Sequence, residues 1–235
     1  MKVIAFVGPS GHHLRELYPM VKFSPPAAHG DLDERKINEF GLVIFADAVF
    51  FTIPSPTHYE LLRVLERGQT IIGVSSMGAL RAAELSRYGM LGFGNVYQNI
   101  MCGNVTDDSE LAAAIHPVSY RPLTVSLINV RSLLSEISDD FGNETILQRA
   151  LIIARNIYFM DRTIEKLLKL WGCLGEDFIS KAKIAFEEGH YDIKCFDFKC
   201  LLDLVATDDI ELTPIINNAI QPKQILLCPT IAIPE

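Results

Sequence analysis

Apolar positions along the chain fall into two regimes. Up to about residue 75 they come as short unbroken runs, 1–7, 42–46 and 71–74, rich in β-branched residues. Such runs suit strands buried on both faces. Between and after them, helical spacing predicts helices at 32–40, 57–67 and 77–88, with a short one near 14–20. Strand, helix and strand alternating three times predicts a parallel sheet, because parallel neighbours need a crossover of about a dozen residues or more. From residue 121 the pattern turns helical. Pro122 opens a helix at its first turn, with Leu123, Leu127, Val130, Leu134 and Ile137 as one stripe and Asn129 and Arg131 off it. Further helices are predicted at 144–160, 161–171, 176–188, 196–205 and 212–219; the apolar 225–233 segment either adds an edge strand or lies over the helices. The expected class is α/β: an N-terminal, mostly parallel sheet flanked by helices, followed by a mainly helical C-terminal part. Residues 1–135 form the predicted core and 136–235 a helical extension packed on it.

Polar residues punctuate this pattern with readable chemistry. Thr57-x-x-Glu60 is a capping box, and Asp107-x-x-Glu110 is a second capping pattern opening a helix that Pro117 ends. Gly89 stands just past the 77–88 helix, where a left-handed residue is wanted. The prolines of 22–28 hold an extended loop. Asp31 or Asp33 is placed to cap the helix that follows. The Gly8-Pro9-Ser10-Gly11 turn lacks the lysine of a phosphate loop and reads as a plain turn, with a backbone anion nest as the minor option.

The centre of the pattern is 70–85, TIIGVSSMGALRAAEL. A strand, a tight turn and a helix in so few residues put Ser75 and Ser76 at a helix N-terminus, where free N–H groups favour a negative oxygen. This resembles a nucleophile elbow, with a serine on a sharp turn and small residues two positions either side. Ser76 has Gly78 at +2 but Val74 at −2; Ser75 has Gly73 at −2 but Met77 at +2. The plainer alternative is that one serine caps the helix. Ligands of parallel sheets gather at the carboxyl ends of the strands, and that edge would collect the 8–10 turn, Asp47, His58, Tyr59 and Ser76. An imidazole there suits general-base work. Arg81 and Glu84, three apart, either pair with each other or leave Arg81 to orient a carboxylate. A Ser76, Asp107 or Asp108, His116 triad has the chain order of α/β-hydrolases, but the spacing is short and the acids have capping work.

Composition narrows the classes. With 235 residues and 49% apolar content the chain can bury one sizeable core. Net charge −8 excludes a nucleic-acid surface, which needs clustered Lys and Arg. Five cysteines without a C-x-x-C pair read as reduced thiols, and Cys195-x4-Cys200 is weak evidence for a metal. His12-His13 reads as surface histidine rather than a metal pair. No cofactor motif is present. The chain starts on a strand and carries no apolar run of membrane length, so a cytoplasmic protein without membrane association is expected.

SMGALRAAEL followed by Gly89-Met90-Leu91-Gly92-Phe93-Gly94 resembles the centre of the TfuA-like family, which accompanies YcaO enzymes in peptide-backbone thioamidation. Pro25-Pro26-Ala27 with Gly30-Asp31, Asp47, the H-x-E segment at His58 and Glu60, Asp107-Asp108 with Glu110, and Tyr120-Arg121-Pro122-Leu123 to Asn129-Val130-Arg131 also have counterparts there. The resemblance covers 3–134. It implies a YcaO partner that releases sulfide from a thiocarboxylated ThiS-like carrier through a serine paired with a lysine, contacting the peptide substrate only indirectly. The serine maps onto Ser76, and Arg81 onto the group that orients the thiocarboxylate. Asp31, Asp47, Glu84 and Arg121 fall at family positions assigned to substrate binding. The family's H-K-E segment reads His58-Tyr59-Glu60 here, so the lysine is missing. His58 or Tyr59 could replace it as base, or Lys2, Lys22 or Lys36 could reach the serine. The implied alternative is an adaptor that docks the YcaO enzyme and the carrier after losing the chemistry.

Overall fold

The computed structural model describes residues 1–49, 53–141 and 144–207. The predicted segments at 212–219 and 225–233 lie outside them. The chain divides into two compact units. One holds Met1–Asp108, Ile115–Arg121 and the described residues from 194 on; the other holds Ser109–Ala114 and Pro122–Ile193.

The first unit is built on five strands, β1 (Val3–Phe6), β2 (Val21–Ser24), β3 (Leu42–Phe45), β4 (Thr70–Val74) and β5 (Leu91–Phe93). They form one parallel sheet in the order β2-β1-β3-β4-β5. The α/β expectation holds. Alternate residues supply two cores, as a sheet buried on both faces requires. Val3, Ala5, Leu42, Ile44, Ile72 and Val74 pack with Phe198, Leu201 and Leu202 of the last helix, α9 (Ile193–Ala206). Ile4, Phe6, Val43, Phe45 and Ile71 pack with the helices of the other face, α1 (Glu34–Ile37), α2 (His58–Glu66) and α3 (Met77–Leu85).

Several elements differ from the sequence expectation. β2 lies where a loop was expected at 22–28: it is a short edge strand, and its Pro25-Pro26 boundary hid it. β5, three residues long, was too short to register as a strand, and the short helix α4 (Gly94–Met101) that follows it was not expected either. The 14–20 helix is a 3-10 turn at His12–Glu16, and the 32–40 helix shrinks to Glu34–Ile37. The D-x-x-E pattern at Asp107 opens only a 3-10 turn, Asp108–Glu110. Gly89 is left-handed as expected, at φ 97.

α4 shows why α9 belongs to this unit. Its N-cap, Phe93, offers no side-chain acceptor. Asp197 of α9 substitutes: its carboxylate accepts from the Val96 N–H (2.8 Å) and the Asn95 amide (2.7 Å), all of it buried. Gly94, at φ 95, admits this approach, since a Cβ there would stand 2.4 Å from the Asp197 Cγ. Asp197→Ala is expected to lower stability by about 1–3 kcal/mol, because it leaves a helix-end N–H and a buried amide without their acceptor. The denaturation midpoint of the purified variant reads this.

The second unit is helical, with α5 (Leu127–Glu136), α6 (Glu144–Arg155), α7 (Ile164–Trp171) and α8 (Glu176–Glu188). α5 starts five residues later than Pro122 suggested, and Leu123 is half exposed rather than on its stripe. Asn129 and Arg131, off the stripe, are nevertheless buried. Trp171 is the centre of the core. Phe178 meets it edge-on at 5.6 Å, Phe186 stacks at 6.1 Å, and its indole N–H donates to the Ala150 carbonyl at 2.9 Å. Charge is buried here too. Arg131 donates to Glu110 at 2.7 Å with both side chains almost fully buried. Arg162 donates to the carbonyls of Ala154, Ile157 and Val125. Burial pulls the Arg162 guanidinium down to about 10, and Glu110 limits the fall. Among the described residues, no helix is long and apolar enough to cross a membrane.

Candidate functional site

β4 ends at Val74, and the next two residues turn the chain straight into α3. Two glycines make this turn possible. A Cβ on Gly78 would stand 1.6 Å from the Phe45 carbonyl oxygen, and one on Gly73 would stand 2.0 Å from the Gly78 carbonyl oxygen. The helix therefore presses directly on the β3 and β4 backbones. Ser75 takes the strain of the turn at φ 67, a left-handed conformation that costs a serine about 1–2 kcal/mol.

The two serines then separate in role. Ser75 is fully buried, and its hydroxyl donates to the Lys194 carbonyl at 2.7 Å, 119 residues away in sequence. Ser76 is the N-cap of α3 but makes no side-chain capping bond. The capping alternative therefore fails for both. The amides differ as well. The Ser76 N–H, which follows Ser75, is taken by the Val74 and Ala46 carbonyls at 2.9 and 3.3 Å, and the Gly78 N–H by Ala46 at 3.1 Å. Among the described residues, no acceptor meets the N–H of Met77, which follows Ser76. An oxyanion bound by the amide after the nucleophile can therefore form at Ser76 and not at Ser75. Ser76 is 4% exposed, at the floor of the rim.

Asp47 lies two residues past the end of β3, beside this turn. It is 1% exposed, and it accepts from the N–H groups of Gly8 (2.8 Å) and Ser10 (3.0 Å) and from the Ser10 hydroxyl (2.7 Å). The backbone nest after β1 exists, but the chain's own carboxylate fills it. This lies between β1 and β3, where the strand order reverses direction. Burial pushes the Asp47 carboxyl up from its ordinary value, while the charge of Lys194 and the three donors pull it back. Lys194, in the first turn of α9, is a lysine only 3% exposed. Sequence inspection missed it. Ile193-Lys194-Cys195 carries no motif, and burial is its only signal.

The remaining predicted residues form other groups. His58 opens α2 and its Nε2 meets Glu84 at 2.7 Å; Arg81 meets the same Glu84 oxygen at 2.5 Å and the His58 ring at 3.4 Å. The Arg81–Glu84 pair thus exists, but among the described residues Arg81 Nε stays a buried donor with no partner. Tyr59 is 62% exposed on the outer face of α2, with Arg63 donating to its hydroxyl at 2.7 Å and lying 4.4 Å over its ring. Glu60 completes the capping box with Thr57 and also holds the 28–31 loop through Gly30 N–H and His29. Asp31 turns back onto the Ala28 N–H and pairs with Lys36. Arg121 is exposed on a loop closed by its own carbonyl and the His116 N–H. Of the lysines considered as substitutes, Lys2 pairs with Glu39, Lys36 with Asp31, and Lys22 lies over Phe40. Lys2 and Lys22 also sit at the amino end of the sheet, away from Ser76.

The model of the TfuA-like proteins matches residues 47–163. The chain belongs to the TfuA-like family. The match begins at Asp47 and includes His58, Ser76 and Arg81; it excludes the 25–31 segment that also looked similar, and it extends past 134. Comparison with curated proteins gave no match. At the general level of the family, membership associates this TfuA-like chain with YcaO-type thioamidation and with YcaO partnership.

Proposed function

We propose that this TfuA-like protein serves a YcaO enzyme by hydrolysing the thiocarboxylate terminus of a ThiS-like carrier at Ser76, releasing sulfide for peptide-backbone thioamidation. The observation that carries this reading is the pairing of an uncapped Ser76 with the open Met77 N–H at the end of a parallel strand. Lys194 takes the place of the lysine that Tyr59 replaces in the H-x-E segment. The Ser76 oxygen attacks the thiocarboxylate carbon while the Lys194 amine accepts the hydroxyl proton. The Met77 N–H holds the oxyanion. Collapse of the intermediate breaks the carbon–sulfur bond; sulfide leaves and takes the proton as HS⁻. Water then cleaves the ester, giving a carboxylate and restoring the serine. Arg81, with its unpartnered Nε, orients the incoming terminus beside Glu84 and His58. His58 is less suited to act as the base, because its Nε2 already meets Glu84.

A thiocarboxylated carrier incubated with the protein tests the reading through sulfide release and carrier mass. Ser76→Ala and Lys194→Met are each expected to slow release by at least about 10²-fold while keeping YcaO binding. Release that is unchanged in Ser76→Ala removes the hydrolase proposal. Retained YcaO and carrier binding would then leave the adaptor role, which the deep position of Ser76 favours.

A further inference from the structure

The helical unit brings three ligand-type side chains to one spot. α5 ends at Glu136 and α8 at Glu188, and the two helices share the Trp171 core through Leu133, Leu134, Ala182 and Phe186. Gly189 then turns the chain at φ 75, and His190 follows it back to the helix ends. One ligand atom each from Glu136, Glu188 and His190 lie within 4.8 Å of one another. The neighbours of His190 fix the turn. The Tyr191 ring meets Phe186 edge-on at 5.0 Å, and Asp192 accepts from the Asn129 amide of α5 at 2.9 Å.

The charge at this spot has the wrong sign for helix ends. The last turn of a helix carries free carbonyls and the negative end of its dipole, which favour a cation and disfavour a carboxylate. Here two carboxylates stand at two such ends, and neither last turn holds a basic residue. Among the described residues, neither carboxylate pairs with a lysine or arginine. Glu136 Oε2 is buried and, among the described residues, meets no donor, an unfavourable state for a carboxylate oxygen. His190 does not relieve it. Its Nδ1 stands 3.5 Å from Glu136 Oε1, beyond a good hydrogen bond. Two ligand atoms bound to one ion at about 2.0–2.2 Å stand about 3–3.5 Å apart, which this pair already approaches.

We propose that Glu136, Glu188 and His190 form a binding site for a divalent transition-metal ion of the zinc type, which clips the end of α5 to the end of α8. An imidazole with two carboxylates suits such an ion better than Mg²⁺ or Ca²⁺, which take oxygen ligands. His190 binds through Nδ1 as the neutral imidazole, and water completes the coordination on the exposed side of Glu188 and His190. The site is independent of the chemistry proposed for Ser76.

Calorimetric titration of the EDTA-treated, dialysed protein with zinc chloride near neutral pH tests this, with Mg²⁺ and Ca²⁺ as comparison ions. One equivalent of zinc is expected to bind, more tightly than either, and Glu188→Gln and His190→Ala are each expected to weaken it at least about 10-fold. Trp171, the single tryptophan, reports on the same unit: the urea midpoint of its fluorescence is expected to rise with zinc in the wild-type chain and to stay put in both variants. Zinc that binds equally well to both variants sits elsewhere, on the cysteines for example, and overturns the proposal. An unmoved wild-type midpoint at saturating zinc does the same. Without metal, Glu188→Gln is expected to be at least as stable as wild type, because it removes one of two neighbouring carboxylates. A loss of stability there would mean that His190 pairs with them as an imidazolium, which also overturns it.

Discussion

Gly78→Ala leaves little or no folded first unit. A methyl group at this position meets the Phe45 carbonyl oxygen at 1.6 Å and the Phe45 carbonyl carbon at 2.5 Å, and both are backbone atoms of a central strand. A side chain could rotate away; β3 cannot move without breaking its ladders to β1 and β4. Relief must come from lifting α3 off the sheet, which exposes Met77, Ala82 and Leu85 and frees the Ala46 carbonyl from two N–H groups. Overpacking in a good core costs about 1–3 kcal/mol, and more where the backbone itself must shift, against a total margin of about 5–15 kcal/mol. Far-UV circular dichroism and soluble yield measure the loss. Gly103→Ala is the control: its Cβ meets nothing within 4 Å, so only the strain of φ 74 is added, about 1–2 kcal/mol. Equal stability of the two variants would mean that α3 does not press on the sheet as described.

Glu110→Gln destabilises the second unit by about 3–5 kcal/mol, because it strips the carboxylate from a guanidinium with no route to solvent. The Arg131 side chain is 1% exposed and Glu110 6%. Arg162, already pulled down to about 10 by burial, loses the same opposing charge. The amide keeps the shape, so the effect reports charge rather than a cavity. Trp171, the single tryptophan of the chain, sits in this unit's core and serves as its own reporter. Its fluorescence midpoint in urea is expected to fall in Glu110→Gln. Replacing both partners, as Glu110→Leu with Arg131→Met, should recover most of the loss, since an apolar pair of similar volume leaves no charge behind. A Glu110→Gln midpoint equal to wild type would mean that the pair contributes nothing as an ion pair.

The residues that position the site differ in how legible they are. The Thr57–Glu60 capping box, the left-handed Gly89 and the buried strands 42–46 and 71–74 are all local: each depends on residues within one turn or one strand, so spacing reveals them. The family resemblance at the SMGALR block and the match over 47–163 agree there. β2 and β5 were not legible, because an edge strand of four residues and a strand of three carry too little apolar periodicity to separate them from loops. Tyr59 is a different case. Its place in the H-x-E segment made it a candidate base, whereas the helix turns it outward onto Arg63.

Sequence by itself determined the elbow: Gly73, Ser75, Ser76 and Gly78 follow a buried strand and precede a strong helix, and only small residues let that helix lie on its strand. It also determined the class of fold, because the apolar period changes from buried runs to helical stripes along the chain. What only tertiary structure decided is which serine keeps its hydroxyl and its neighbouring amide available, and which buried lysine's backbone meets the serine turn. Those depend on the carbonyls of Ala46 and Lys194, one on the neighbouring strand and one on a helix more than a hundred residues away. Backbone acceptors carry no residue identity, so no pattern of side chains announces where they will be used.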